Sequence, residues 1–129
     1  MGQRIVLVGH CGVDAPRLER EVSRICPRAD VMTINSEAQL HDIVEEGAAL
    51  LLINRHLPYG FESEEGVELM RDLQQMNPDV TMMLVSDMPD AQDEARKAGA
   101  IKGFGKADLG SGRIADILKA AMKGQGKPN

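Results

Sequence analysis

The chain has 129 residues, 43% of them apolar, and a formal net charge of −5 at pH 7. This length suits one compact domain burying roughly two-thirds of its unfolded surface, and the composition excludes disordered and fibrous classes. The acidic balance argues against nucleic-acid and anionic-membrane partners, neither of which attracts an acidic body.

The first residues run directly into a strand pattern, with no long apolar stretch of the kind a secretory leader carries. Val6 stands where a myristoylation motif wants Ser or Thr. Ile5, Val6, Leu7 and Val8 make a nearly continuous β-branched and aliphatic run, as a strand buried on both faces requires. A helix follows from about Asp14, with Leu18, Val22 and Ile25 on one face. It stops at Cys26-Pro27, because the residue before proline is pushed out of the helical region. Residues 30–35 read as a second strand. Ser36 with Gln39 has the capping-box pattern and opens a helix that buries Leu40, Ile43 and Val44. The third strand, residues 48–53, ends at Asn54. Beyond a long loop, Leu69, Leu73 and Met76 recur at i, i+4 and i+7, and Asn77-Pro78 closes that helix. Residues 80–85 form the fourth strand. The next helix offers the core only Ala91, Ala95 and Ala98, so it packs closely but weakly. Residues 101–104 are the fifth strand, and a last helix over 111–123 turns Ile114, Ile117, Leu118 and Ala121 inward.

Five apolar strands alternating with five amphipathic helices predict an α/β fold: a flavodoxin-like, doubly wound, five-stranded parallel sheet in a three-layer sandwich. The expected strand order is 2-1-3-4-5, with a functional crevice at the carboxyl ends of strands 1 and 3. Residues 1–123 read as one domain and the Gly/Lys/Pro-rich segment 124–129 as a flexible tail, with no linker to an output domain. Cys11 and Cys26 have no metal-ligand or redox spacing and read as free thiols in a reducing cytoplasm. No run of about 18 apolar residues offers a membrane span.

The residues just after the strands resemble those of the receiver domain of two-component response regulators. Ile53-Asn54-Arg55-His56-Leu57-Pro58 is similar to that family's strand-Asp-x-x-(Met/Leu)-Pro signature, and Glu65-Gly66-Val67-Glu68-Leu69 to its Asp-Gly-x-Glu-Leu helix start. Leu84-Val85-Ser86 resembles the strand ending in Ser or Thr. Ala98-Gly99-Ala100, with Lys106 six residues on, resembles the Gly-Ala stretch leading to the family's lysine. In such domains two acids after strand 1 and a phosphoacceptor Asp after strand 3 hold Mg²⁺. Here Gly9 and His10 align with the two acids and Asn54 with the phosphoacceptor, so all three carboxylates are missing. Amide groups are poor nucleophiles, and Mg²⁺ prefers hard anionic oxygens that these positions do not supply. Ser86 and Lys106 are retained. Ala107 replaces the proline that follows the lysine, putting the family's cis peptide there in doubt, and Gly103, followed by Phe104, replaces the switch aromatic.

The resemblance therefore implies a degenerate, non-enzymatic pseudo-receiver: a cytoplasmic single-domain module acting by phosphorylation-independent protein–protein contact, without a cofactor. Its partner is a signalling protein, and a homodimer is also compatible. The contact surface is expected on the last two helices and fifth strand, with Gly103 and Phe104, or on the long loop carrying Tyr59 and Phe61. Those two aromatics could equally fold back over the pocket mouth. The alternative function is a small-ligand, anion or metal sensor using the remodelled pocket. Lys106 is expected to donate to the Asn54 side-chain oxygen, Asp14 to cap the first helix, and Asp87 to turn outward. His10, Cys11 and His56 are the metal-ligand candidates, by the preference of imidazole and thiolate for soft metals, although ordinary loop roles suit all three. His41 reads as solvated, as do the acid pairs Glu45-Glu46 and Glu64-Glu65.

Overall fold

The computed structural model describes residues 3–58 and 60–123; the interface candidate Tyr59 and the tail candidate 124–129 lie outside the described residues. The strands are β1 (Arg4–Val8), β2 (Asp30–Ile34), β3 (Leu50–Asn54), β4 (Met82–Val85) and β5 (Ile101–Phe104). Between and after them come α1 (Asp14–Ile25), α2 (Glu37–Glu46), α3 (Gly66–Met76), α4 (Pro89–Lys97) and α5 (Gly112–Lys123), with a 3-10 turn at Lys106–Asp108. All strands are parallel, in the order β2-β1-β3-β4-β5 that the sequence predicts. No helix among the described residues is long and apolar enough to cross a membrane.

Alternate residues of each strand face opposite sides of a sheet, and here both sides are covered. Val6, Val8, Leu51, Ile53, Met82 and Leu84 pack beneath α2, α3 and α4. Ile5, Leu7, Leu50, Leu52, Met83 and Val85 pack beneath α1 and α5. Each such side chain contributes roughly 1.5–3 kcal/mol relative to an exposed one, so truncating Leu51 or Leu52 would remove a large share of the stability. The two-sided burial explains why the strands read as continuous apolar runs rather than alternating ones.

Several local expectations need correction. Met76 is 58% exposed, whereas Val67 and Met70 are buried, because the buried stripe of α3 starts one turn earlier than i, i+4, i+7 from Leu69 suggests. Ile117 is only half-buried, at the edge of α5. Ser36 Oγ does accept from Gln39 N (3.2 Å), but the Gln39 side chain reaches back to Asn35 N (3.1 Å) instead of the cap residue itself. Asp14 does not cap α1: Val13 occupies that position without a side-chain bond, and Cys11 Sγ accepts from Asp14 N at 3.4 Å. The β4–β5 pairing also shifts, Met83 opposing Ile101 but Val85 opposing Phe104. This bulge sets Lys102 and Gly103 against Leu84 alone and disturbs the ladder bonds there. Gln92 of α4 compensates, its Nε2 donating to Leu84 O (2.9 Å), Ser86 O (3.0 Å) and, more weakly, Phe104 O (3.4 Å).

Candidate functional site

The carboxyl ends of β1, β3, β4 and β5 bring Gly9, His10, Asn54, Ser86 and Lys106 to one edge of the sheet, as the topology requires. Gly9 continues the β1 ladder, its N–H donating to Ile34 O at 3.1 Å. Its φ is +73°, a left-handed conformation that glycine adopts freely and other residues rarely do. A Cβ at Gly9 would stand 2.7 Å from Leu57 Cδ2, 3.2 Å from Pro58 Cδ and 3.6 Å from Phe61 Cε2. Apolar atoms of the β3–α3 loop thus occupy the place where any side chain at position 9 would project.

The loop that delivers those atoms is tied down along its length. Leu57 N donates to Glu64 O (2.9 Å) and Gly66 N to Arg55 O (2.7 Å). Glu37 N, in the first turn of α2, donates to Gly60 O (2.7 Å), and Glu62 N donates to Glu37 Oε1 (3.2 Å). Satisfying free amides at a helix start is a common use of loop carbonyls. Phe61 is buried in the core cluster beside Gly9 rather than displayed as an interface ring. Of the two alternatives for this aromatic, the inward one holds. Phe104 is likewise buried, and Gly103 too, where a Cβ would stand 2.2 Å from Leu84 O. Glycine at 103 is therefore a requirement of the bulge.

His10 turns inward, with only 3% of its surface exposed, and its Nε2 lies 2.9 Å from Leu52 O. A carbonyl can only accept, so Nε2 carries the proton and Nδ1 presents a lone pair; among the described residues no partner meets Nδ1. Burial pushes the imidazole down to about 4, the bond to Leu52 opposing this and the nearby Lys106 ammonium adding to it. His10 is thus a neutral ring anchoring β1 to β3. Cys11 is exposed, its sulfur turned to the α1 amide. His56 is exposed, with Nδ1 2.9 Å from Glu65 Oε2 across an isolated antiparallel bridge. The three metal-ligand candidates do not meet, because each ring or sulfur has a different local anchor. Among the described residues no group of three or more His, Cys, Asp or Glu side chains is placed to hold a metal ion.

Asn54 uses its amide nitrogen locally, Nδ2 donating to His56 O (2.8 Å) and Gly9 O (3.1 Å). The expected Lys106–Asn54 pairing is not formed. Lys106 Nζ instead donates to Asp14 Oδ2 at 2.5 Å. Hydrogen bonding to Lys106 holds the Asp14 carboxyl below its usual range. A carboxylate outcompetes an amide oxygen for an ammonium because the bond is charge-assisted. Sequence distance hid this partner, since Asp14 and Lys106 are 92 residues apart. Ser86 Oγ accepts from Met88 N (3.1 Å), a local turn bond. Asp87 is exposed, yet its carboxylate accepts from Ala107 N (3.1 Å), fastening β4 to the 3-10 turn. No peptide among the described residues is cis.

The pocket therefore contains a fixed cation neutralised by a fixed anion, an amide bonded to backbone carbonyls and a neutral buried imidazole. At positions 9, 10 and 54 it carries no carboxylate. Beside it, a groove of about 410 Å³ runs along β5 between α4 and the start of α5, lined by Gln92, Arg96, Lys102, Gly103, Phe104 and Arg113 among others.

No family model matches the sequence, and no curated protein matches it. Solved structures do. The signal receiver domain of an HD domain-containing protein from Pseudomonas fluorescens Pf-5 superposes with TM-score 0.77 at 20% identity, over 95% of this chain and 88% of that one. The signal receiver domain of a DNA-binding response regulator from Colwellia psychrerythraea 34H gives TM-score 0.73 at 13% identity, over 94% and 98%. The receiver domain of NtrX from Brucella abortus gives TM-score 0.70 at 18% identity, over 93% and 98%. The fold is that of response-regulator receiver domains.

Proposed function

We propose that this chain is a degenerate receiver module that acts in two-component or related signalling by protein–protein contact, without being phosphorylated and without catalysing a reaction. One observation carries the reading: apolar atoms of Leu57, Pro58 and Phe61 fill the space over Gly9, while Asn54 is the residue that the family resemblance aligns with the phosphoacceptor. An amide there cannot form an acyl phosphate, and no anionic oxygen replaces the lost Mg²⁺ ligands. Lys106, engaged by Asp14, is not free to stabilise a transferred phosphoryl group.

A receiver with no phosphoryl chemistry retains its surfaces as its means of action. The reading assigns the main partner surface to α4, β5 and α5. There Ile101 is 38% exposed, and a mostly apolar groove of about 450 Å³ is lined by Ile101, Ile117, Ala120 and Ala121 with Lys102 and Asp116 at its rim. The mixture of apolar floor and charged rim suits a protein partner or a second copy of the chain. The sensor alternative has less support, because Asn54 Nδ2, Ser86 Oγ and Lys106 Nζ already have internal partners.

Incubation with acetyl phosphate and Mg²⁺, read by intact mass, tests the proposal. The mass should not change. An acid-stable or acid-labile increment of one phosphoryl group at stoichiometric yield would overturn it.

A further inference from the structure

We propose that the groove along β5, between α4 and the start of α5, binds a small phosphate monoester that also carries hydroxyls. Arg96, Lys102 and Arg113 take the phosphate and Asp93 takes a hydroxyl. This goes beyond the reading above, since it concerns a diffusible ligand. It stands whether or not a protein docks on the neighbouring apolar groove.

Three elements each supply one cation to this groove: Arg96 from the last turn of α4, Lys102 from β5 and Arg113 from the first turn of α5. The bulge breaks the strict alternation of β5, so Ile101 and Lys102 are both exposed while Gly103 and Phe104 are both buried. Arg96 and Lys102 make no ion pair or hydrogen bond among the described residues. Arg113 has one loose ion pair, to Asp108 at 3.9 Å. Three carboxylates line the same groove, and two of them are spent on the protein. Asp87 accepts from Ala107 N (3.1 Å), and Asp108 Oδ2 accepts from Gly105 N (3.1 Å). Asp93, one turn before Arg96 on α4, is exposed and unpaired among the described residues.

What remains for a ligand is a trio of cations beside a single carboxylate. The planar guanidinium matches two phosphate oxygens in a two-bonded fork, and a doubly charged phosphate accommodates more than one cation. Inorganic phosphate would leave Asp93 facing a like charge. A monoester with hydroxyls offers that carboxylate a donor, the pairing by which an acidic residue holds a ribose hydroxyl in dinucleotide sites. Size agrees, since a volume of about 410 Å³ falls within the range of small-ligand pockets, roughly 300–1,000 Å³. A nucleic-acid strand fits less well, because a chain of net charge −5 repels a polyanion at long range.

The test is an amide NMR titration of the full chain at about 150 mM salt, where exposed charges are well screened, with ribose 5-phosphate, AMP, inorganic phosphate and ribose as probes. Ribose 5-phosphate and AMP should shift Arg96, Lys102, Gly103 and Arg113 with a Kd of about 1 mM or below, and ribose should shift nothing. Tighter binding of AMP identifies a nucleotide as the ligand and equal binding a sugar phosphate; both support the proposal. R96Q/K102Q should lower the affinity for both about tenfold or more, while R17Q/R20Q, on α1, should leave it unchanged. D93N should weaken ribose 5-phosphate but not inorganic phosphate, a split that loss of a negative charge alone does not produce. Absence of shifts at millimolar ligand, shifts centred on Asn54 and Lys106, an equal loss in R17Q/R20Q, or tighter binding of a phosphoserine peptide would each overturn the proposal.

Discussion

Replacing Gly9 by alanine should destabilise the fold by about 2–4 kcal/mol, far more than a small surface change does. Two separable effects make up that figure. The backbone at Gly9 has φ +73°, and holding an L-residue there costs roughly 1–2 kcal/mol. The added methyl would also stand 2.7 Å from Leu57 Cδ2 and 3.2 Å from Pro58 Cδ, and overpacking of this kind costs about 1–3 kcal/mol. The leucine methyl can swing aside, whereas the proline ring cannot, so the lower half of the steric range applies. Equilibrium urea unfolding measures the sum: with a slope of about 2 kcal/mol per molar, the midpoint should fall by about 1–2 M. Adding Leu57→Ala to Gly9→Ala should recover the share of the steric cost that falls on Leu57 and leave the conformational part, a non-additivity that a double-mutant cycle reads directly. A Gly9→Ala protein within about 0.5 kcal/mol of the parent would refute the reasoning, as would two losses that simply add. The same barrier faces Gly9→Asp, which would in addition press a carboxylate against three apolar side chains. Restoring acids at 9, 10 and 54 together should therefore produce no tight Mg²⁺ site unless the β3–α3 loop is rebuilt as well.

His10 makes stability depend on pH. Its folded value, about 4, lies below the ordinary 6.5, so the folded state disfavours the proton. Stability is complete above about 6.5 and declines as pH falls towards 4, by on the order of 3 kcal/mol; His10→Gln should flatten that part of a thermal-melt profile. Asp14→Asn should release Lys106 and create weak, millimolar sulfate binding that the parent lacks, visible as sulfate-dependent shifts at Lys106 and Ala107. Equal sulfate response in both proteins would contradict the neutralised-pocket reading. Gln92→Ala should cost about 1–3 kcal/mol by stranding bulge carbonyls, and should speed hydrogen exchange at Ser86, whose N–H donates to Phe104 O at the bulge. Unchanged exchange there would mean that the ladder, and not Gln92, holds β5.

Much of the site was legible before any coordinates, because the strand ends mark it. Gly9, His10, Asn54, Ser86 and Lys106 could be assigned to one crevice from the βα alternation alone, and that is where they lie. What they bond to was not legible. Asn54 turns to the backbone of Gly9 and His56, and Lys106 to Asp14, since a long side chain pairs with the strongest acceptor within reach rather than with the residue a motif suggests. The inward turn of Phe61 and the role of Gln92 likewise left no periodic trace. A glutamine in a short alanine-faced helix looks like an ordinary solvated residue until the bulge beside it is known.

The sequence by itself determined the layers, the parallel sheet and its strand order, because the hydrophobic spacing of strands and helices is a local property that every segment carries with it. It also determined that no carboxylate stands at positions 9, 10 and 54, whatever the fold. Tertiary structure alone decided that the β3–α3 loop packs over Gly9, that Lys106 is neutralised by Asp14, and that the His10 imidazole is held uncharged. Those outcomes depend on distances between groups far apart in the chain, and on the withdrawal of water around them. Neither quantity is encoded in any window of neighbouring residues; both arise only when the sheet has closed and its edges have met.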